Sequence, residues 1–282
     1  PIQTVGQQKC TKEEYLAYLR SVVQAHDLAM RTREEVASLA RDAEGRFTLE
    51  ARSARGRTRV RADAVVLATG GTARPRRLDL PGEDLPHVDH YFRDPHRHFS
   101  RRLLVVGGRN SAVEAALRCW HVGADVAISY RRDAFDPQHV KYWLLPELEG
   151  RIRRGEIEGL LATRPVEITP IHVVLEHADG TRREVEADDV LLLVGYEADL
   201  SLFEVAGVEL RGEDRAPRHD RSTMETNVPG LYVAGTAVAG TQSSFRIFLE
   251  NCHVHAERIA AALTGRPPPQ QTGELHRVLP ES

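Results

Sequence analysis

The hydrophobic pattern of the first 70 residues predicts a helix, a small meander and a buried strand. Apolar residues recur at helical spacing over residues 12–25, and Thr11-Lys-Glu-Glu14 has the form of a capping box. Short alternating runs between residues 28 and 68 predict an antiparallel meander. Its last run, Ala64-Val-Val-Leu-Ala68, predicts a buried strand that is followed by a glycine-containing turn.

A strand, a helix and a second strand follow within about thirty residues. Leu103–Val106 is an apolar run, residues 111–122 are amphipathic, and Asp125–Tyr130 is another apolar run. This order predicts a βαβ unit, in which a crossover helix joins two parallel strands. Residues 75–99, which are rich in Pro, His and Asp, are expected to form a connector.

The remainder of the chain continues to alternate between strands and helices. We expect a helix over 140–160, strands at about 165–176, 181–186, Asp189–Val194 and 231–235, a long helix at about 243–264, and a disordered tail after it. The whole pattern predicts an α/β protein in which one domain is interrupted by a βαβ domain and then returns. The predicted segments are 1–96, 97–200, 201–265 and a tail, 266–282.

Composition narrows the range of partners. A formal net charge of −3 over 282 residues gives no reason to expect nucleic acid or a membrane surface, and no run of 18 apolar residues predicts a membrane span. The cysteines form no C-x-x-C pair, so we expect no zinc site, no local redox disulfide and a cytoplasmic location. They are Cys10, Cys119 and Cys252.

Four histidines of the connector raise the question of a metal site. They stand in a Pro-containing segment, and no nearby cysteine completes a ligand set, so we expect linker polarity and no metal. These residues are His87, His90, His96 and His98. His253 and His255, near the end of the chain, are expected on a helix surface or at an interface, and a role near a flavin is the alternative.

The residues between the first strand and the helix of the βαβ unit have the form of a dinucleotide-binding turn. Gly107 and Ala112 take the first and last small positions of G-x-G-x-x-G/A, while Arg109 stands at the middle glycine position. The helix N-terminus offers N–H groups and a positive dipole end to a pyrophosphate. An ordinary βα turn without a ligand is the alternative. The predicted contacts are Gly107, Gly108, Arg109, Asn110, Ser111 and Ala112.

The end of the second strand indicates which dinucleotide binds. An NAD site places an acidic residue roughly 20 residues after the glycines, but this chain has Ser129-Tyr-Arg-Arg132 there. Two guanidinium groups suit a 2′-phosphate, because Arg forms bidentate bonds to phosphate oxygens. We therefore predict NADPH and place Tyr130, Arg131 and Arg132 at the cofactor. A solvated surface Arg pair is the alternative.

Two segments far apart in the chain strengthen this interpretation. Ala68-Thr69-Gly70 and the stretch that ends in Tyr-Val-Ala-Gly235 each close a buried strand. With the central turn they resemble the thioredoxin-reductase-like flavoproteins, α/β proteins with two dinucleotide-binding (Rossmann-like) domains, the NADPH domain inserted in the FAD domain. The resemblance implies that Ala68, Thr69 and Gly70 line the crossing between the domains, and that Gly235 and Thr236 lie at the flavin ribityl chain.

A narrower resemblance is to the bacillithiol-disulfide reductases of the YpdA type. It rests on VVGGRNSAVEAAL, Lys141–Glu147, Gly195-Tyr196, Met224–Asn227 and Phe248–Asn251. It implies FAD and NADPH as cofactors, with hydride passing from NADPH to FAD and electrons onward to a small-molecule disulfide. Gly195 and Tyr196 are then expected at a cofactor, and a homodimer is compatible with the family likeness.

Three departures from these families qualify the expectation. Family members open with a GGGPCG-like loop that holds the FAD pyrophosphate and carries the candidate nucleophilic cysteine. This chain starts at Pro1 without that loop, so we expect its natural beginning to be missing and leave the catalytic residue unassigned; Cys119 is expected in the core. Thioredoxin is disfavoured as a substrate, since His90–His98 replaces the C-x-x-C motif and Thr236 replaces an Asp.

Other functions stay open at this point. A thioredoxin-reductase-like ferredoxin/flavodoxin–NADP reductase needs no cysteine. A flavin monooxygenase is weakened by the lack of an FxGxxxH-like segment in the connector. A non-catalytic protein that binds only NADPH is the alternative from a different class, and flavin content separates it from the enzymes.

Overall fold

The computed structural model describes residues 11–242, 247 and 251–267. The chain divides after Ala64 into two compact units. The domain boundaries expected from the sequence at residues 97 and 200 are not tested by this division and stay predictions. Residues 243–246 and 248–250, Cys10 and the tail beyond Pro267 lie outside the described residues, and with them part of the predicted last helix and the Phe248–Glu250 motif.

The described part of the first unit, residues 11–64, contains one helix and one antiparallel sheet. Helix α1 (Lys12–Ala25) begins at the predicted capping box, in which the Glu14 N–H donates to Thr11 Oγ1 at 3.2 Å and the Thr11 N–H donates to Glu14 Oε2 at 2.7 Å. Strands β1 (Glu35–Arg41), β2 (Phe47–Ser53) and β3 (Gly56–Ala62) pair in that order. The predicted helix and meander are therefore confirmed.

The second unit holds the remaining elements. In chain order they are β4 (Val65–Leu67), β5 (Arg74–Pro75), β6 (Val88–Asp89), a 3₁₀ helix (Pro95–His98), β7 (Arg102–Val106), α2 (Asn110–His121), β8 (Asp125–Tyr130), α3 (Leu144–Arg153), β9 (Glu158–Leu161), β10 (Thr163–Ile168), β11 (His172–His177), β12 (Arg182–Glu186), β13 (Asp189–Leu192), β14 (Tyr196–Glu197), α4 (Ser201–Val205), β15 (Leu210–Arg211), β16 (Ala216–Pro217), β17 (Leu231–Val233), a second 3₁₀ helix (Gly235–Ala239) and α5 (His253–Thr264).

A five-stranded parallel sheet in the order β6-β13-β7-β8-β9 forms the centre of this unit. Alternate residues of β7 face opposite sides, as expected for a strand that is covered on both faces. Leu103 and Val105 pack in one core with α2 and α3, while Leu104 and Val106 pack in another with β10, β11 and β12. The predicted βαβ unit is confirmed as β7-α2-β8.

Smaller pairs of strands join distant parts of the chain. β4 runs parallel to β17, with Leu67 opposite Val233, and β5 runs antiparallel to β14, with Pro75 opposite Tyr196. The Ala234 N–H donates to the Leu67 carbonyl at 3.0 Å and extends the first pair. Both strands predicted before glycine turns are thus neighbours in space.

Several predicted boundaries are wrong, for local reasons. The helix expected over 140–160 ends at Arg153, because Gly155 takes a left-handed φ of +69° and the chain then enters β9. The strand expected over 165–176 is two strands, since Thr169 and His172 close a hairpin turn around Pro170. Within the described ranges, every helix is too short or too polar to span a bilayer.

Candidate functional site

The carboxyl ends of three parallel strands bring the first set of predicted site residues together. Gly107 follows β7, Arg131 follows β8, and Gly195 lies three residues beyond β13. β7 lies between β8 and β13. The strand that follows β7 in the chain, β8, is therefore on one side of it, and the later strand β13 is on the other, so the strand order reverses at β7. Ligands of open α/β sheets bind at such a switch point, outside the carboxyl ends of the strands.

Gly107 lets helix α2 approach the sheet closely. Its φ is +142°, and a methyl group there would lie 2.5 Å from the Leu193 carbonyl oxygen and 2.9 Å from the Ala112 Cβ. Ala112 is fully buried. The glycine and the small residue five positions later therefore serve the turn and the packing of α2, the roles that the sequence motif assigns to them.

The N-terminus of α2 suits a pyrophosphate. Arg109 is the N-cap residue in extended conformation, and its side chain forms no capping hydrogen bond. The first N–H groups of a helix have no partner within it, so those of Asn110, Ser111 and Ala112 lack a side-chain cap. Donors in this arrangement, together with the helix dipole, fit a dianionic group.

The side chain of Asn110 also forms a hydrogen bond that was not expected from the sequence. Its Oδ1 accepts the Lys141 backbone N–H at 2.8 Å and so ties the segment between β8 and α3 to the start of α2. The Lys141 Nζ lies 5.3 Å from the centre of the Trp143 ring. A lysine and two aromatic residues, Tyr142 among them, are thereby held near the predicted pyrophosphate position.

Tyr130 forms a wall of this site. Its ring is 8% exposed and stacks on Phe135 with centroids 5.3 Å apart and an interplanar angle of 6°. Another neighbour is Gly108, where an added methyl group would come within 2.2 Å of the Tyr130 ring. The tyrosine is packed between these residues, and its direct contact with a cofactor stays a prediction.

The two arginines after β8 differ in their surroundings. Arg132 forms an ion pair with Asp136, whose Oδ2 lies 3.3 Å from its Nη1 and 2.8 Å from the His139 Nδ1. The Gln138 N–H and His139 lower the pKa of Asp136. Arg131 is exposed and pairs with no carboxylate in the part of the chain that the structure describes. Arg131 is therefore the more available of the two guanidinium groups.

A second set of predicted site residues meets beyond β4 and β17. Ala68, Thr69 and Gly70 follow β4, and a methyl group on Gly70 would lie 3.9 Å from Thr236 Oγ1. Gly235 has a φ of +68°, and an added Cβ would lie more than 4 Å from every atom of the described residues. This backbone is open on the side where a side chain would stand, so a flat or extended cofactor fits against it.

His255 is part of this second set, against expectation. The sequence predicted a histidine on a helix surface or at an interface, whereas the structure leaves it only 5% exposed. The Gly235 N–H donates to its Nδ1 at 3.2 Å. His253, one half-turn earlier, is exposed as predicted.

Gly195 and Tyr196 lie just beyond β13 and pair with the segment around β5. Gly195 has a φ of +116°, and no atom in the described part of the chain lies within 4 Å of where its Cβ would be. Tyr196 stacks on Tyr91, with ring centroids 5.3 Å apart, and burial raises the pKa of its hydroxyl. Tyr196 thus belongs to an aromatic pair beside an open glycine, and its contact with a cofactor stays a prediction.

Other chemically interesting residues lie away from these sets. Cys119 is fully buried, and burial raises the pKa of its thiol to about 12. His90 lies 2.9 Å from the buried Glu83 carboxylate, and His98 lies 2.8 Å from Asp189. The connector histidines are therefore used separately, and within residues 11–242, 247 and 251–267 no His, Cys, Asp and Glu side chains form a group that could hold a metal ion.

Comparison with known proteins assigns the chain to a family that binds dinucleotides. The family described as pyridine nucleotide-disulphide oxidoreductase matches residues 1–235. The chain belongs to this family. Membership confirms the predicted α/β class of two dinucleotide-binding domains and the expectation of FAD and NADPH as cofactors. It does not test the individual site residues, which remain predictions supported by the geometry above.

Individual relatives are more specific. The chain is 37% identical over 201 residues to the bacilliredoxin reductase Bdr of Bacillus subtilis, which covers 71% of this chain and 61% of that protein. It matches the solved bacillithiol disulfide reductase Bdr (YpdA) from Bacillus cereus with a TM-score of 0.86 and 32% identity, over 93% of this chain and 80% of that one. The resemblance to the YpdA-type enzymes is thereby confirmed.

Relatives with a different activity, ferredoxin–NADP reductases, are also similar to this chain. The chain is 30% identical over 177 residues to a ferredoxin–NADP reductase of Ignicoccus hospitalis, covering 61% of this chain and 55% of that protein. The matched regions of both curated relatives are shorter than two thirds of their lengths.

Proposed function

We propose that this protein is an NADPH-dependent flavoprotein that reduces a low-molecular-weight disulfide of the bacillithiol type. The observation that carries the proposal is the fold similarity to the solved bacillithiol disulfide reductase from Bacillus cereus, which extends over 93% of this chain. The proposal further rests on two sets of open backbone and cationic groups that fit two cofactors.

The first set supplies the binding groups for NADPH. The α2 N-terminus offers N–H donors to the pyrophosphate, and the exposed Arg131 offers a guanidinium to the 2′-phosphate. Arg132 adds a second positive charge while it pairs with Asp136. Arg131 and Arg132 stand directly after β8, where an NAD site has an acidic residue, and the first carboxylates of this segment, Asp133 and Asp136, come later. The two cations therefore favour NADPH over NADH.

The second set supplies the binding groups for FAD. Gly235 and Thr236 would lie along the flavin, with Gly70 next to Thr236. When both cofactors are bound, the nicotinamide supplies a hydride and the flavin delivers the electrons to the disulfide. The residues of the chain bind, orient and separate these groups from water.

We assign no catalytic cysteine. The thiolate form attacks a disulfide, and the pKa of about 12 keeps the buried Cys119 protonated. Cys252 is half-buried immediately before α5, and Cys10 lies outside the described residues. A homodimer likewise stays a prediction, which light scattering of the purified protein tests.

Reduction of a ferredoxin or flavodoxin is the second candidate function, favoured by the similarity to ferredoxin–NADP reductases. This reaction needs no thiol, because the flavin passes single electrons directly to the partner's redox centre. A non-catalytic protein that binds NADPH alone is the third.

Flavin content and acceptor choice together test these functions. The visible absorption spectrum of the purified protein is recorded before and after addition of FAD, and then NADPH or NADH is added. We expect flavin bands that NADPH bleaches faster than NADH, followed by reoxidation with bacillithiol disulfide. Reoxidation by ferredoxin and not by the disulfide would replace the proposal with the second function. NADPH binding without flavin uptake would replace it with the third.

A further inference from the structure

His255 is a buried histidine for which the family match gives no role. It is the third residue of α5, it is 5% exposed, and its Nδ1 accepts the Gly235 N–H at 3.2 Å. Two residues earlier, His253 is exposed on the same helix. The helix therefore carries one exposed and one buried histidine, and the buried one, His255, contacts Gly235 at the start of the second 3₁₀ helix.

The direction of this hydrogen bond defines the state of the ring. An imidazole nitrogen that accepts an N–H carries no proton, so the neutral ring of His255 holds its proton on Nε2. Burial lowers the pKa of His255 to about 4, and the neighbouring charges of Arg258, His219 and His253 act in the same direction. At neutral pH the ring is consequently uncharged and Nδ1 remains an acceptor.

The peptide N–H that His255 accepts belongs to Gly235, one of the residues assigned to FAD. Gly235 follows β17, opens the second 3₁₀ helix and has a φ of +68°, which favours glycine. Without a Cβ its peptide has more freedom than that of other residues, so an external acceptor is needed to fix its orientation. The next residue, Thr236, turns its Oγ1 toward Gly70 and Gly71.

We propose that His255 is a positioning residue for the flavin: its Nδ1 orients the Gly235 peptide, and so presents Gly235 and Thr236 to bound FAD. This rests on the proposed function, because Gly235 and Thr236 are assigned there to FAD. The ring acts through the peptide and touches no reacting atom. The acceptor at the Nδ1 position is the property that matters, more than the volume of the ring.

Three substitutions separate the acceptor from the ring. His255→Asn places an amide oxygen near the Nδ1 position, His255→Gln places its amide near Nε2, and His255→Leu keeps volume without an acceptor. FAD is titrated into the flavin-free protein and binding is followed by the quenching of flavin fluorescence. We expect the Gln and Leu variants to weaken FAD binding by about tenfold, the scale of one hydrogen bond, and the Asn variant to stay close to the wild type.

Two controls isolate the effect. His253→Asn changes the exposed histidine of the same helix and should leave FAD affinity unchanged. NADPH affinity, which depends on the other set of residues, should be unchanged in every variant and shows that the protein is folded. Should the Leu variant fail to fold, the Gln and Asn variants still make the comparison.

Either of two outcomes would overturn the assignment. Equal FAD affinity in the wild type and the Gln variant would show that the acceptor has no role, and equal weakening in the Asn and Gln variants would assign the effect to ring packing. A wild-type protein that takes up no FAD while it binds NADPH would instead overturn the proposed function, and the role of His255 with it.

Discussion

The ring of Tyr130 lies against Gly108 so closely that a methyl group on the glycine would come within 2.2 Å of a ring carbon. The ring cannot shift easily, because it also stacks on Phe135 and is only 8% exposed. The dinucleotide turn and the end of β8 are therefore held to each other by an aromatic side chain. The glycine at this position makes room for protein and not only for a cofactor.

Gly108→Ala should disturb both stability and NADPH binding. Because the Tyr130 ring must shift, we expect a loss of about 1–3 kcal/mol in the free energy of unfolding, as for other overpacked cores. NADPH affinity should fall, while FAD uptake should stay unchanged. Urea unfolding and NADPH titration measure these effects.

Gly150→Ala, in helix α3, is the matched control, since its added methyl would meet only the flexible ends of the Arg153 and Arg154 side chains. Alanine is favoured over glycine in a helix, so this variant should be as stable as the wild type or more so. Unchanged unfolding and NADPH affinity in Gly108→Ala would show that the two residues are not packed as described.

Asn110 allows the effect of shape to be separated from the effect of charge. Asn110→Ala removes the acceptor of the Lys141 N–H, and we expect about 1 kcal/mol lower stability together with weaker NADPH binding. Asn110→Asp keeps an acceptor and adds a negative charge at a helix N-terminus, which stabilises the helix. The same charge repels a pyrophosphate.

The Asp variant should therefore combine unfolding close to that of the wild type with a loss of NADPH affinity that exceeds the loss in the Ala variant. Thermal unfolding and equilibrium binding of NADPH measure the two properties separately. If the Asp variant binds NADPH as tightly as the wild type, no pyrophosphate lies at the α2 N-terminus.

Arg131→Ala should weaken NADPH much more than NADH. A charge-assisted hydrogen bond contributes about 1.5–3 kcal/mol, so the KM for NADPH should rise by about 10- to 100-fold while that for NADH changes little. Arg132→Ala should have a smaller effect, because that guanidinium is already paired with Asp136. Steady-state kinetics with both cofactors test this order.

Arg153→Ala removes an exposed arginine from α3 and serves as the control for a change in net charge. An equal rise of both KM values in Arg131→Ala would rule out a contact with the 2′-phosphate, because NADH lacks that group.

The buried His255 should make stability depend on pH in a defined window. Its folded-state pKa of about 4 lies below the usual value of 6.5, so the unfolded chain binds a proton more readily. The stability associated with the neutral ring is complete above pH 6.5 and is lost as the pH falls toward 4, by about 3 kcal/mol in total.

His255→Asn removes this titration. The difference in unfolding free energy between wild type and variant should therefore change between pH 7 and pH 4, with the wild type losing more. Urea unfolding at several pH values measures the difference, in which the carboxylates common to both proteins cancel. A pH-independent difference would mean that the ring is not buried in its neutral form.

The helices and strands that are fixed by sequence-local patterns could be predicted from the sequence. The capping box before α1 and the apolar runs of β7 and β8 are visible as spacing. The hairpin at Pro170 was missed, since the apolar alternation continues on both sides of a turn that is fixed by Thr169.

The contacts of the candidate site were less visible, because they join residues that no periodicity relates. The turn glycines, the arginines after β8 and the residues after β4 and β17 could be identified by type and position. The bonds from Asn110 to Lys141 and from Gly235 to His255 depend on how loops return to helix ends. The sequence alone does not show that His255 is buried and His253 exposed, because this depends on which face of α5 packs against the rest of the protein.

The pairing of strands also sets an order in which the second unit can close as it leaves the ribosome. β6 pairs with β13, β5 with β14 and β4 with β17, so that each pair encloses the previous one along the chain. Pairs of distant strands form slowly, and chains fold domain by domain as they emerge. The innermost pair, β6 with β13, belongs to the sheet that carries the dinucleotide turn. This sheet can therefore form before β17, the partner of β4, has been translated.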